Sequence, residues 1–173
     1  MEKIFILFVT VVLPALCMAQ GKDVFDTART GTVEEMKVLV KKNTDTINAI
    51  NAAGFSPLIL ACYRGNNGVA EYLARNVKDV NYNSSNGTAL AAAAVKGNTA
   101  LAKLLLENKA NPNLPDGGGM TPIVYAIQFE NKDLVTLLLQ HKAKTDIKDN
   151  DGHTPYDHAV ISKNQEIINL FKK

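Results

Sequence analysis

A hydroxyl residue followed by a helix-starting residue recurs along this chain at nearly constant spacing. Ser56, Thr88, Thr121 and Thr154 stand 32, 33 and 33 positions apart, within AGFSPLILA, NGTALAAAA, GGMTPIVYA and DGHTPYDHA. A period of this size constrains the fold more than composition does, because each unit is one small piece of structure that cannot bury its apolar face alone and must stack on copies of itself. Each hydroxyl precedes Pro57, Ala89, Pro122 or Pro155. The side-chain oxygen can cap an orphan N–H, and proline at the first helical position loses no hydrogen bond, so a helix is predicted to begin at each site. Ala61, Ala93, Ala126 and Ala159 recur on these helices, small enough for neighbouring units to approach closely.

A second signal has the same period. Asn66, Asn98, Asn131 and Asn164 each precede a helical apolar pattern, such as Leu101, Leu104 and Leu105 or Leu134, Leu137 and Leu138. Asparagine is therefore expected to cap a second, longer helix. Behind it come KDVN at 78–81, KANPN at 109–113 and KAKTD at 142–146, then a turn rich in Asn, Asp and Gly. Each unit reads as turn, short helix, turn, longer helix and loop.

The pattern G-x-[ST]-P-L, Ala, Gly-Asn, Leu-Leu and A-x-x-N resembles the ankyrin repeat, with FSPLILACYRGN and MTPIVYAIQFEN as its best copies and KDVFDTARTGTVEEMKVLV as a degenerate first one. The resemblance implies an all-α solenoid of about five helix-turn-helix repeats joined by hairpin-like loops, near 22–49, 50–82, 83–115, 116–148 and 149–173. The first and last would serve as caps with a polar outer face. Two departures stand out: the histidine that follows Thr-Pro-Leu in the family is Ile59, Ala91, Val124 and Asp157 here, and the glycine ending the second helix is Val77, Lys109 and Lys142. A left-handed backbone at those last three would cost a non-glycine residue roughly 1 kcal/mol.

The amino terminus does not follow the repeat. In MEKIFILFVTVVLPALCMAQG, Lys3 precedes an apolar run from Ile4 to Leu16, and Cys17 and Ala19 are small residues where a signal peptidase reads. Residues 1–19 are thus expected to be a cleaved export signal, leaving 20–173 as the repeat domain in the periplasm or outside the cell. A lipoprotein reading of Cys17 is disfavoured by the bulk of Leu16. The run is shorter than the roughly 20 residues a membrane-spanning helix needs, so no membrane span is expected. Without Cys17 only Cys62 remains, so no internal disulfide can form and stability must come from packing. Eighteen basic and sixteen acidic residues remain once Glu2 and Lys3 are set aside, an even balance that gives no electrostatic case for nucleic acid.

DGHTPYDHA, residues 151–159, holds histidines and aspartates of the kind used in acid–base or metal chemistry. Its place in the repeat supplies a simpler account: Thr154 is a cap, Pro155 the first helical residue and Asp157 a carboxylate favoured by the helix dipole. His153 precedes the cap while His158 follows it, so the pair is unlike the one-faced histidines of a zinc protease. No catalytic residue, metal site or cofactor is expected. Gly117, Gly118 and Gly119 lack the Gly-Lys-Ser/Thr ending of a phosphate loop and read as a hairpin tip. Cys62 reads as a buried, inert thiol, and His141 as a helix-ending residue.

The resemblance implies protein binding through hairpin tips and the face made by the first helices. Carried onto this chain, the tips offer Phe55, Ser84, Ser85, Met120, Asp151 and His153, and the ends of the first helices offer Tyr63, Arg64, Lys96, Gln128, Phe129 and Ile161. Tyr, Arg, Phe and Met are types enriched at the energetic centres of interfaces. Packing between repeats is the competing reading of Tyr63 and Phe129. The expected function is non-enzymatic binding of another protein outside the cytoplasm, as adaptor or inhibitor, by a chain that is monomeric when free. The alternative is an enzyme or metal-dependent protective protein using the histidine-containing last repeat.

Overall fold

A computed structural model describes residues 22–172. The proposed export signal lies outside the described residues. Among the described residues, ten α-helices fall into five successive pairs: α1 (Val24–Thr30) with α2 (Val33–Lys42), α3 (Pro57–Arg64) with α4 (Asn67–Asn76), α5 (Ala89–Val95) with α6 (Thr99–Glu107), α7 (Pro122–Gln128) with α8 (Lys132–Gln140), and α9 (Pro155–Ser162) with α10 (Gln165–Leu170). A 3-10 turn, Thr44–Asn48, follows α2. Among the described residues there is no strand beyond an isolated bridge between Ser84 and Gly87, and no helix is long and apolar enough to cross a membrane. The chain is thus the all-helical solenoid that the repeat implied.

The odd-numbered helices form one row, α1 on α3, α3 on α5, α5 on α7 and α7 on α9, and the even-numbered helices form a second row behind it. Alanine explains the closeness of the first row: Ala89, Ala91, Ala92, Ala93 and Ala94 of α5 are all buried between α3 and α7. Leucine fills the space between rows. Leu101 and Leu105 on α6, and Leu134 and Leu138 on α8, turn one apolar face inward at helical spacing and are buried.

The predicted caps form at Ser56, Thr88 and Thr154, whose hydroxyls accept from the N–H of Ile59, Ala91 and Asp157. Thr154 and Asp157 close a full capping box, as do Thr32 and Glu35 at the start of α2. Thr121 departs from the pattern: its side chain caps nothing, and its buried Oγ1 has no hydrogen-bond partner. Asn98, Asn131 and Asn164 cap their helices as expected, whereas Asn66 makes no side-chain cap. Its amide instead donates to the carbonyls of Ala28 and Gly31 in the preceding repeat. Of the three positions where a left-handed backbone would cost a non-glycine residue, Lys109 and Lys142 adopt one, with φ of 70° and 64°. Val77 is extended, at φ −69°, so no strain arises there.

The hairpins stack as well. Asn51, Asp116 and Asp149 each open a turn closed by a backbone bond from their own N–H to the carbonyl of Phe55, Met120 and His153. The third repeat is one residue shorter here, with Ser84 bonding Gly87 instead, which accounts for the single 32-residue spacing. Gly117 donates to the Ser85 carbonyl and Asn150 to that of Gly118, tying successive tips together. Gly119 sits at φ +82°, where a Cβ would come within 2.7 Å of the Asp149 backbone, so only glycine fits this junction.

Candidate protein-binding surface

Stacking the first helices in register brings their C-terminal ends side by side, although these ends lie more than thirty residues apart in sequence. Tyr63, Arg64, Lys96, Gln128, Phe129 and Ile161 are all exposed there. Tyr63 is 50% exposed and Phe129 56%, so packing between repeats does not account for either ring. The Lys96 ammonium lies 5.2 Å from the centre of the Tyr63 ring, a cation–π contact that holds both side chains over the row.

Beside Tyr63 lies a cleft of about 390 Å³. Phe55, Ile59 and Leu60 contribute apolar surface to it, while Arg29 from α1 and Arg64 from α3 also line it. Arg29 escaped the sequence reading because the first repeat lacks the Thr-Pro start; its register emerges only when α1 is seen beside α3. It pairs with Asp26 at 2.9 Å on the surface of its own helix.

The tip residues divide. Ser85 and Asp151 are exposed, Phe55 and Met120 are half-buried against the core, and His153 keeps a side chain 45% exposed. Ser84 must be removed from the set of contact residues. It is buried, and its hydroxyl donates to the Gly87 carbonyl and accepts from the Asn86 N–H, because the shortened hairpin moves it from the tip into the turn-opening position.

The last hairpin brings His153 and His158, which the sequence separates by the helix start, together with Asp149. Asp149 Oδ1 accepts from the N–H groups of Asp151 and His153 at 3.0 and 2.8 Å, and Oδ2 lies 2.7 Å from His158 Nε2. The His158 contact, joined by those backbone donors, holds the Asp149 carboxyl below its ordinary range. The same frame exists one repeat earlier, where the Tyr125 hydroxyl donates to Asp116 Oδ2. Burial, with Asp116 beside it, raises the Tyr125 phenol above its usual range. The 33-residue spacing of Asp116 from Asp149, and of Tyr125 from His158, was the signal available in the sequence. Cys62 is fully buried, and burial drives its thiol far above the ordinary value, as expected of an inert side chain.

Paired helices stacked behind a continuous row of exposed side chains define a repeat solenoid. The chain belongs to the ankyrin repeat family: the family model "Ankyrin repeats (3 copies)" matches residues 24–116 and 90–173. It is also similar to mouse "Protein fem-1 homolog A-like", at 35% identity over 89 residues, a match covering 51% of this chain and 14% of that protein. The chain therefore corresponds to a small part of that relative's length. Ankyrin repeats are in general protein–protein interaction modules.

Proposed function

We propose that this chain is a non-enzymatic binding module that acts outside the cytoplasm, as adaptor or inhibitor, and engages one partner protein across consecutive repeats. The observation that carries this reading is the row Tyr63, Arg64, Lys96, Gln128 and Phe129, exposed together beside an apolar cleft. Such a row, extended by Ser85, Asp151 and Ile161, is long enough to bury the roughly 800 Å² per partner of a specific complex. Two exposed aromatic rings and an arginine are the residue types that dominate interface energetics. The extracytoplasmic setting rests on Lys3, the apolar run to Leu16 and the small residues Cys17 and Ala19.

Affinity capture from the exported fraction, comparing wild type with a Tyr63→Ala/Phe129→Ala double variant, tests the choice of face. One protein enriched by wild type alone supports it, and equal capture by both proteins refutes it. Amino-terminal sequencing of the mature protein tests the location: a start at Gln20 supports export, and retention of Met1 in a cytoplasmic protein overturns it.

A further inference from the structure

The last repeat carries a feature that neither its fold nor the exposed row requires. The turn needs an acceptor at position 149, because two backbone N–H groups converge on it. It does not need histidine at 153 or 158. The equivalent places hold Phe55 and Leu60 around Asn51, and Met120 and Tyr125 around Asp116, and those turns close with the same backbone bond. Only in the last repeat do both neighbours of the turn acceptor become imidazoles.

We propose that Asp149, His153 and His158 form a binding site for a late first-row divalent cation of the zinc class. One ligand atom from each of the three lies within 4.8 Å of the others. The two rings meet edge to face with centroids 5.7 Å apart. His153 Nδ1 and Asp149 Oδ1 are 4.0 Å apart, too far for a hydrogen bond; two ligands that each sit about 2.0–2.2 Å from one tetrahedral ion are about 3.4 Å apart, so a small inward turn of the half-exposed His153 ring brings the pair to ligating distance. Two imidazoles and one carboxylate suit zinc, nickel or copper better than calcium or magnesium, which take oxygen ligands. Asp149 is the fixed wall of the site, its side chain 4% exposed and its position set by Asp151 and His153 backbone donors.

His158, 13% exposed, would ligate through Nε2 with its proton on Nδ1, so that the ion takes the place of the 2.7 Å Nε2–Oδ2 contact as the two atoms move slightly apart. His153, 45% exposed, closes over the ion from the solvent side and leaves a fourth position open to water. The two histidines need not share a helix face, because the hairpin supplies one and α9 the other.

The test is calorimetric titration of the untagged protein with Zn²⁺, with retained metal counted after dialysis. One ion per chain is expected. His153→Ala and His158→Tyr should each weaken binding by at least about tenfold, roughly 1.4 kcal/mol, while His141→Ala leaves it unchanged. His158→Tyr restores the phenol–carboxylate contact found at Tyr125 and Asp116, so it removes the ligand and keeps the fold; circular dichroism checks this. Absence of binding by wild type at about 0.1 mM Zn²⁺, well above the micromolar range of a specific site, would overturn the proposal. So would saturable binding that neither variant diminishes.

Discussion

At the scale of single residues, the same side chain in the same repeat position does different work according to what surrounds it. Thr88 and Thr121 both precede a first helix, yet Thr88 Oγ1 accepts from Ala91 while Thr121 Oγ1 is buried without a partner. Replacing Thr88 by valine should cost about 1 kcal/mol for the lost cap, and Thr121→Val should be neutral or stabilising, since it removes an unpaired buried hydroxyl. Equilibrium urea denaturation of the two variants reads the difference. The same measurement separates packing from polar decoration. Leu105 and Leu138 are fully buried, so each change to alanine should cost about 2 to 5 kcal/mol, whereas His153→Ala in metal-free buffer should stay within about 0.5 kcal/mol of wild type. The cap at Thr88 was legible in the sequence because helix starts are written locally. The orphaned hydroxyl of Thr121 was not, because it depends on side-chain geometry that an identical motif does not encode.

At the scale of helices and loops, asparagine joins one unit to the next. Asn113 Nδ2 donates to the Lys142 carbonyl at 3.1 Å and its Oδ1 accepts from the Lys144 N–H at 2.7 Å; Asn81 makes the equivalent pair with Lys109 and Asn111. Asn113→Ala breaks both bonds of one junction and should destabilise the protein by about 1 to 3 kcal/mol, measured by thermal or urea unfolding. The sequence showed these asparagines as recurring loop letters, but their partners lie about thirty residues away and appear only when the repeats stack. Helix α2 offers a pH-dependent element. The Glu35 carboxylate accepts from the Thr32 N–H at 2.8 Å, and that bond, assisted by Lys22, holds its pKa below the ordinary 4.5. A depressed carboxyl pKa contributes stability that is fully present above the unfolded value and is lost as pH falls through the folded value. Glu35→Gln keeps an acceptor for Thr32 and removes the titration. Wild type should therefore be the more stable protein at pH 7, and in paired thermal melts its advantage should shrink as pH falls below the ordinary 4.5 and be lost as pH falls through the lowered folded value.

At the scale of the whole molecule, the extensive packing of each described helix pair is with the pairs beside it, so stability is approximately a sum of unit terms and junction terms. Among the described residues, helices α3 to α8 have a repeat on both sides, whereas α1, α2, α9 and α10 have one on a single side, and α10 buries only Ile167 completely. Native-state hydrogen exchange should show the strongest protection in α3 to α8, with α9 and α10 opening at lower free energy. Uniform protection from end to end would contradict the additive picture. The period, the helix order and the exposed row were readable because they repeat. The cluster around Asp149 was legible only as a repeat register, the 33-residue spacing from Asp116 and Tyr125; that a five-residue turn folds Asp149 back against α9 nine positions later emerges from the structure. This neighbour-to-neighbour packing has a mechanical consequence. Junctions joined end to end carry the same load when the stack is pulled along its length, so extension is shared among them as in a chain of soft springs. The weakest junction yields first, and the units behind it keep their shape, so a pull at one end would be felt at the other as a graded change in tension.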